Sequence, residues 1–270
     1  MRRFVLFSLF FLFFISSCKK QENVYEQIKT HKKITDSNYK SFSLEEVYYS
    51  LLYHVHFAKD YTKIKNSIAY YENSSLHLND SLNIYRANNL QIYLNQDFSV
   101  ENYRYKRLFN AATYFEYENK PYDAYMANYL IAEYYFNLQH FHIAENFAYK
   151  AIDNLGTNND EYVFEKCLTF ILLSTIHHNQ KNYDEAFNIL KNYKILSRLI
   201  DKQLISQERI NVLKSTYTNN YAIIGNKIGK VNLQQTIADL KLAYKLANLK
   251  KEQSKNKQKI TALHNLIHLK

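Results

Sequence analysis

The chain has 270 residues, 47% of them hydrophobic, with 35 Lys and Arg against 25 Asp and Glu, a formal net charge of +10. That length builds a sizeable core, as one domain or as a repeat array. Only three glycines and one proline, Gly156, Gly225, Gly229 and Pro121, disfavour sandwiches and barrels, which need many tight turns, and leave no Gly-rich loop to cradle phosphates.

The chain begins with basic Met1-Arg2-Arg3, and Phe4 to Ile15 is apolar except for Ser8. At 1.5 Å of rise per residue this run is too short for a ~30 Å hydrocarbon core, and it fits the apolar centre of a secretory signal peptide. Ile15-Ser16-Ser17-Cys18 resembles the bacterial lipobox, in which an aliphatic and two small residues precede a cysteine. The resemblance implies that Cys18 receives a diacylglycerol and becomes the first mature residue, after cleavage of residues 1–17. It implies a lipid-anchored address in the cell envelope, at the outer membrane or on the periplasmic side. Loss of Arg2 and Arg3 with the signal lowers the net charge from +10 to +8. Several acyl chains anchor firmly, each buried CH₂ contributing ~0.8 kcal/mol.

With Cys18 lipidated, Cys167 has no partner, so no disulfide framework is expected. Residues 18–41, rich in Lys, Gln, Asn, Ser and Thr, read as a flexible linker holding the body off the membrane.

From residue 42 onward helical periodicity dominates. In "MANYLIAEYYFNLQHFHIAENFAYKAIDNL", residues 126–155, Ile131, Ala132, Tyr135 and Leu138 fall at helical spacing. A second stripe follows: Phe141, Ala144, Ala148, Ala151 and Leu155. Two such helices joined by a short turn form a hairpin, and the small residues permit close approach. The pattern resembles the tetratricopeptide repeat, where a large residue, a small one and an aromatic in a first helix meet alanines in a second. "HHNQKNYDEAFNIL" repeats it with Tyr183 and Ala186, after Leu173, Ser174 and His177. "FAKDYTKIKNSIAYY" repeats it with Tyr61 and Ile64, "LNQDFSVENYRY" with Phe98, and residues 220–247 form a fifth unit. Turn aromatics then fall at 61, 98, 141 and 183, at periods longer than the usual 34. Pro121 is read as the first turn of a long helix running to Leu138.

The expected fold is all-α: an α-solenoid of about five antiparallel helix pairs over residues 42–249. Residues 250–270 form a basic capping helix and tail, with Ile260, Leu263 and Ile267 as its apolar stripe. Several units are required because a single hairpin cannot bury both of its apolar faces.

Catalytic motifs are absent: no nucleophile elbow and no HExxH. His264 and His268 have workable spacing for a metal but no third ligand nearby in sequence, and the other histidines read as surface or turn residues. No metal, cofactor or nucleic acid is therefore expected. The lysines of 250–259 read as a solvated face or a contact with anionic lipid. Cys167 reads as a buried core thiol.

What remains is recognition of a protein or peptide partner. By resemblance to the repeat family, whose first helices line a concave groove, the third unit presents Tyr129, Glu133 and Phe136 and the fourth presents Ile171, Thr175 and His178. A second reading is a sensory protein resembling the repeat halves of bacterial two-component or transcriptional regulators. A third, a glycan-capture lipoprotein, fits poorly a chain with no tryptophan.

Overall fold

The computed structural model describes residues 23–58, 60–95, 103–156, 162–196, 205–248 and 264–265. Among these there is no strand. Eleven α-helices follow one another: α1 (Val24–His31), α2 (Leu44–Leu52), α3 (Lys65–His77), α4 (Ser81–Asn95), α5 (Tyr103–Tyr117), α6 (Pro121–Asn137), α7 (Phe141–Leu155), α8 (Val163–Asn179), α9 (Tyr183–Leu196), α10 (Gln207–Lys227) and α11 (Leu233–Asn248). One π-helical turn, Tyr53–Ala58, extends α2, and short 3₁₀ turns stand at Tyr39–Ser41 and Tyr61–Lys63. Each helix packs on its sequence neighbour. The even-numbered helices also touch in succession: α2 on α4, α4 on α6, α6 on α8, and α8 on α10.

The alanine positions explain the tightest pair. Ala132, Ala144, Ala148 and Ala151 are all fully buried. Methyl groups there let α6 and α7 approach closely, as the sequence pattern predicts. Pro121 stands at the start of α6, where its missing N–H costs no helical hydrogen bond.

Five turns share one geometry. Asn79, Asn119, Gln139, Lys181 and Gly229 each adopt a left-handed backbone, with φ between 52° and 69°. In each case the next residue's N–H reaches back into the preceding helix. Asp80 donates to Ser75 O at 3.1 Å, Lys120 to Phe115 O at 2.8 Å, His140 to Tyr135 O at 2.9 Å, Asn182 to His177 O at 2.9 Å and Lys230 to Gly225 O at 2.8 Å. This is the Schellman closure, usually built with glycine. Here glycine supplies one turn of five, which reconciles tight hairpins with a glycine-poor chain.

Lys181 is exposed, so Lys181→Gly removes the Cβ penalty without removing a packing contact. It should raise the unfolding free energy by about 1 kcal/mol in urea denaturation. A loss of stability would contradict this account of the turn.

The turns also explain where the repeat period fails. Those at 79 and 119 join an odd helix to the next even one, whereas those at 139, 181 and 229 join an even helix to the next odd one. Helix α6 is flanked by tight turns at both ends, so the hairpin phase switches there. The turn at Asn119 lies inside the "ENKPYDAY" stretch, a step the aromatic spacing misses. Phe98, read as a turn aromatic, lies outside the described residues. Tyr61 opens a 3₁₀ turn, and Ile64, fully buried, immediately precedes α3.

One expectation is overturned. Residues 24–41, assigned to a flexible linker, are part of the folded body. Asn23 caps α1 by accepting from the Glu26 N–H at 2.9 Å, and Val24, Tyr25, Ile28 and Ile34 are buried. The polar composition of this stretch hid a stripe of three apolar residues at helical spacing, Val24, Tyr25 and Ile28, with Ile34 following the helix. Of the tail, His264 and Asn265 are described, and Asn265 Nδ2 donates to Asn219 Oδ1 of α10 at 3.0 Å.

Candidate functional site

The successive even helices make one shared surface, and its two ends differ. At the N-terminal ends of α6, α8 and α10, the chain's own first elements cover it. Tyr25 of α1 lies 5.5 Å from Phe57 and 5.7 Å from Tyr162, measured between ring centroids. Phe57 and His56, in the π-helical turn, pack on Phe164 of α8 at 5.8 and 5.7 Å. Ser206, the N-cap of α10, donates to the carbonyl of Phe57 at 3.4 Å.

Under this cover lies Glu165, wholly buried. Its Oε2 accepts from the Tyr25 hydroxyl at 2.7 Å, its Oε1 accepts from the Tyr122 hydroxyl at 3.0 Å, and His56 Nε2 stands 3.8 Å from Oε1. Tyr125 donates to the Glu165 carbonyl at 3.2 Å. Burial pushes the Glu165 carboxyl up to about 7, against the pull of the tyrosine hydrogen bonds and of Arg209. Arg209 of α10, also buried, donates from Nη2 to the Tyr93 hydroxyl at 2.8 Å and lies 5.2 Å from the Phe164 ring. Helices α1, α4, α6, α8 and α10 are thus joined through polar groups shielded from water.

A second buried charge centre joins α2, α4 and α6. Asp123 Oδ2 accepts from Arg86 Nε at 3.0 Å and Nη2 at 2.8 Å, and Asp123 Oδ1 accepts from the Tyr48 hydroxyl at 2.5 Å. The guanidinium lies 4.2 Å from the Tyr48 ring centroid, with Glu45 at 3.8 Å on its outer side. Neither centre presents a reacting group to solvent. Both pair buried polar side chains from different helices and fix how successive helices stack.

Towards the C-terminal ends of the even helices the surface opens. Tyr129 and Ile171, expected to face a partner, are buried at 6% and 8% exposure. Tyr129 spends its hydroxyl on Glu133 Oε1, 2.9 Å away. These two are corrected to packing residues, because α6 and α8 are enclosed over most of their length. Glu133, Phe136, Thr175 and His178 are half-buried and remain at the open end. Thr175 Oγ1 donates to Ile171 O at 2.8 Å and accepts from Asn220 Nδ2 of α10 at 3.1 Å. The His178 ring stands 5.4 Å from Tyr183, and burial followed by the Lys227 charge lowers its pKa. Cys18 lies outside the described residues.

The histidine reading also changes. His54, His56 and His177 are buried, not surface residues. Burial lowers the pKa of His54. Among the described residues no three His, Cys, Asp or Glu side chains gather to hold a metal ion. Cys167 is a free, fully buried thiol, and burial raises its pKa. A separate depression of about 460 Å³ lies between α10 and α11, lined by Tyr217, Tyr221, Lys230, Gln235 and Asp239 among others.

Sequence reading missed Glu165, Arg209, Arg86 and Asp123. Their partners stand far off in the chain: Tyr25 is 140 residues from Glu165 and Tyr93 is 116 from Arg209. A charged residue within an apolar helical run, as in "YVFEKCLTFILL", is the one local sign of such a centre. Comparison of the chain with known protein families, characterised proteins and solved structures returns no match.

Proposed function

We propose that this chain is a membrane-tethered interaction scaffold: a lipoprotein acylated at Cys18 whose helix pairs form a tetratricopeptide-like α-solenoid that binds a protein or peptide partner. The observation that carries this reading is the unbroken succession of α2, α4, α6, α8 and α10, each touching the next. In a solenoid of paired helices one layer contacts itself in just this alternating way. Counted so, α2 with α3, α4 with α5, α6 with α7, α8 with α9 and α10 with α11 make five units, and α1 is an added helix.

The partner surface is the open end of the even helices, around Glu133, Phe136, Thr175 and His178. An aromatic and an imidazole flanked by hydrogen-bonding groups suit a peptide backbone and an apolar anchor. The other end is already occupied by α1 and the π-helical turn.

Two measurements test this. An alkyne-palmitate label should enter the wild-type protein in its native cells and be lost in Cys18→Ala. A photo-crosslinking residue at Phe136 or His178 should capture the same partner, while one at Tyr117, exposed at the opposite turn, should not. Absence of label would remove the tether, and identical capture from Tyr117 would remove the groove.

A further inference from the structure

We propose that the face built by residues 29–40 and 60–65 is a docking surface for an anionic lipid bilayer. It rests on the envelope reading above for its setting, though its chemistry is in the described residues. The two segments are stitched together: the Asp36 N–H donates to Lys63 O at 2.8 Å, and the Asp36 carboxylate accepts from the N–H groups of Asn66 and Ser67 at 2.9 and 2.7 Å.

Asp36 thereby spends its charge on the first turn of α3, which holds its carboxyl below the usual range despite the opposing effect of burial. Glu26 and Asp60 are taken by Lys29 and Lys63, at 3.3 and 2.9 Å. Lys32, Lys33, Lys40 and Lys65, on these two stitched segments, are at least partly exposed, with no carboxylate within ion-pair distance among the described residues. Four uncompensated ammonium groups on two neighbouring segments fit a sheet of phosphate headgroups better than a single acidic ligand. Tyr61, 37% exposed at the edge of this face, has the amphipathic form that suits the headgroup layer.

Chain length brings the surface into reach. Helix α1 is packed from Val24 onward, so only residues 19–23 separate Cys18 from the folded body. Fully extended, six Cα steps span roughly 20 Å. A body on so short a leash lies against the bilayer, and Lys32 and Lys33 directly follow α1, whose eight residues span roughly 12 Å from the end of the leash.

The test uses the chain from residue 18 onward with Cys18→Ser, which retains every described residue and removes the acyl anchor. Sedimentation with phosphatidylglycerol-containing vesicles should bring the protein down, and pure phosphatidylcholine vesicles should not. At an anionic surface each lysine is worth on the order of fivefold in partitioning. The variant Lys32→Gln, Lys33→Gln, Lys40→Gln, Lys65→Gln should therefore partition at least ~tenfold less well, with its helical circular dichroism unchanged. Neutralising Lys250, Lys251, Lys255 and Lys257 of the tail should leave the partitioning in place. Equal partitioning by the 32/33/40/65 variant and the parent, or equal binding to neutral vesicles, would overturn the proposal. Neither outcome bears on acylation of Cys18 or on capture at Phe136, so failure here is separable from failure of the scaffold reading.

Discussion

Asp123→Ala should lower the unfolding free energy by about 3–5 kcal/mol, the largest effect expected of any single substitution in this chain. The side chains of Arg86 and Asp123 are 2% and 6% exposed, so truncating the carboxylate leaves a guanidinium buried against the Tyr48 ring with its nearest carboxylate, Glu45, 3.8 Å away on the rim. It also leaves the Tyr48 hydroxyl without its acceptor. The desolvation cost of the orphaned charge dominates, because the attraction that offset it has gone. The double variant Arg86→Met, Asp123→Leu removes both charges together and should recover most of the loss. Urea denaturation of the two variants decides the matter. A cost under ~1 kcal/mol for Asp123→Ala would mean that the pair is wetter than its geometry implies.

The second large effect is a dependence on pH. The Glu165 carboxyl stands at about 7 in the folded chain against 4.5 ordinarily, and burial is the main cause. Between those values the folded state holds more protons than the unfolded state. Stability from this group is therefore full below pH 4.5 and declines as pH rises towards 7, reaching a loss of roughly 3 kcal/mol above it. The groups facing the carboxylate are Tyr25 of α1, His56 of the π-helical turn, Tyr122 of α6 and Arg209 of α10.

The buried His54 and the half-buried His178 act in the opposite sense. Their folded pKa values are lowered, so they disfavour folding as pH falls below 6.5. The difference between wild type and Glu165→Gln isolates the carboxylate, since an amide keeps the shape and does not titrate. Wild type should lose up to roughly 3 kcal/mol relative to the variant between pH 4.5 and pH 8. Parallel stability curves for the two proteins would contradict the burial of a titrating carboxyl at this position.

The parts of the fold that were legible in the sequence are those set by local spacing. Ala132, Ala144, Ala148 and Ala151 announced a close pair of helices, and all four are fully buried. Pro121 announced a helix start, and the turns at Gln139 and Lys181 followed from the stripes on either side. The turn at Asn79 was illegible by the same method, and the one at Asn119, just before Pro121, did not fit the spacing of the turn aromatics: the hairpin phase changes at α6.

Helix α1 was hidden for a different reason. Its Asn23 cap, the Glu26 that follows three residues later, and the Val24, Tyr25, Ile28 stripe are written in the chain, but across residues 18–41 ten lysines, glutamines and threonines outnumber them. The buried charges were the least legible, because Glu165 and Asp123 look like any helical acid until Tyr25 and Arg86 are brought beside them from elsewhere in the sequence. Of the candidate partner residues, Tyr129 and Ile171 are buried, which helical spacing alone did not reveal. Tyr129 and Ile171 face inward because α6 and α8 are enclosed by neighbours on several sides.

The proposed function turns on the N-terminal segment from Val24 being part of the folded body, so that the lysines of residues 29–40 and the covered end of the helical surface belong to one structure. Backbone hydrogen–deuterium exchange across α1 tests this most directly. The N–H groups of Gln27, Lys32 and Ile34 donate to Asn23 O, Ile28 O and His31 O at 3.2, 3.0 and 3.0 Å, above a fully buried Ile28. The account predicts that residues 27–34 exchange as slowly as the α8 core around Glu165, and that both speed up together in Tyr25→Ala. Exchange of residues 27–34 at the rate of an unstructured peptide, with α8 still protected, would contradict it.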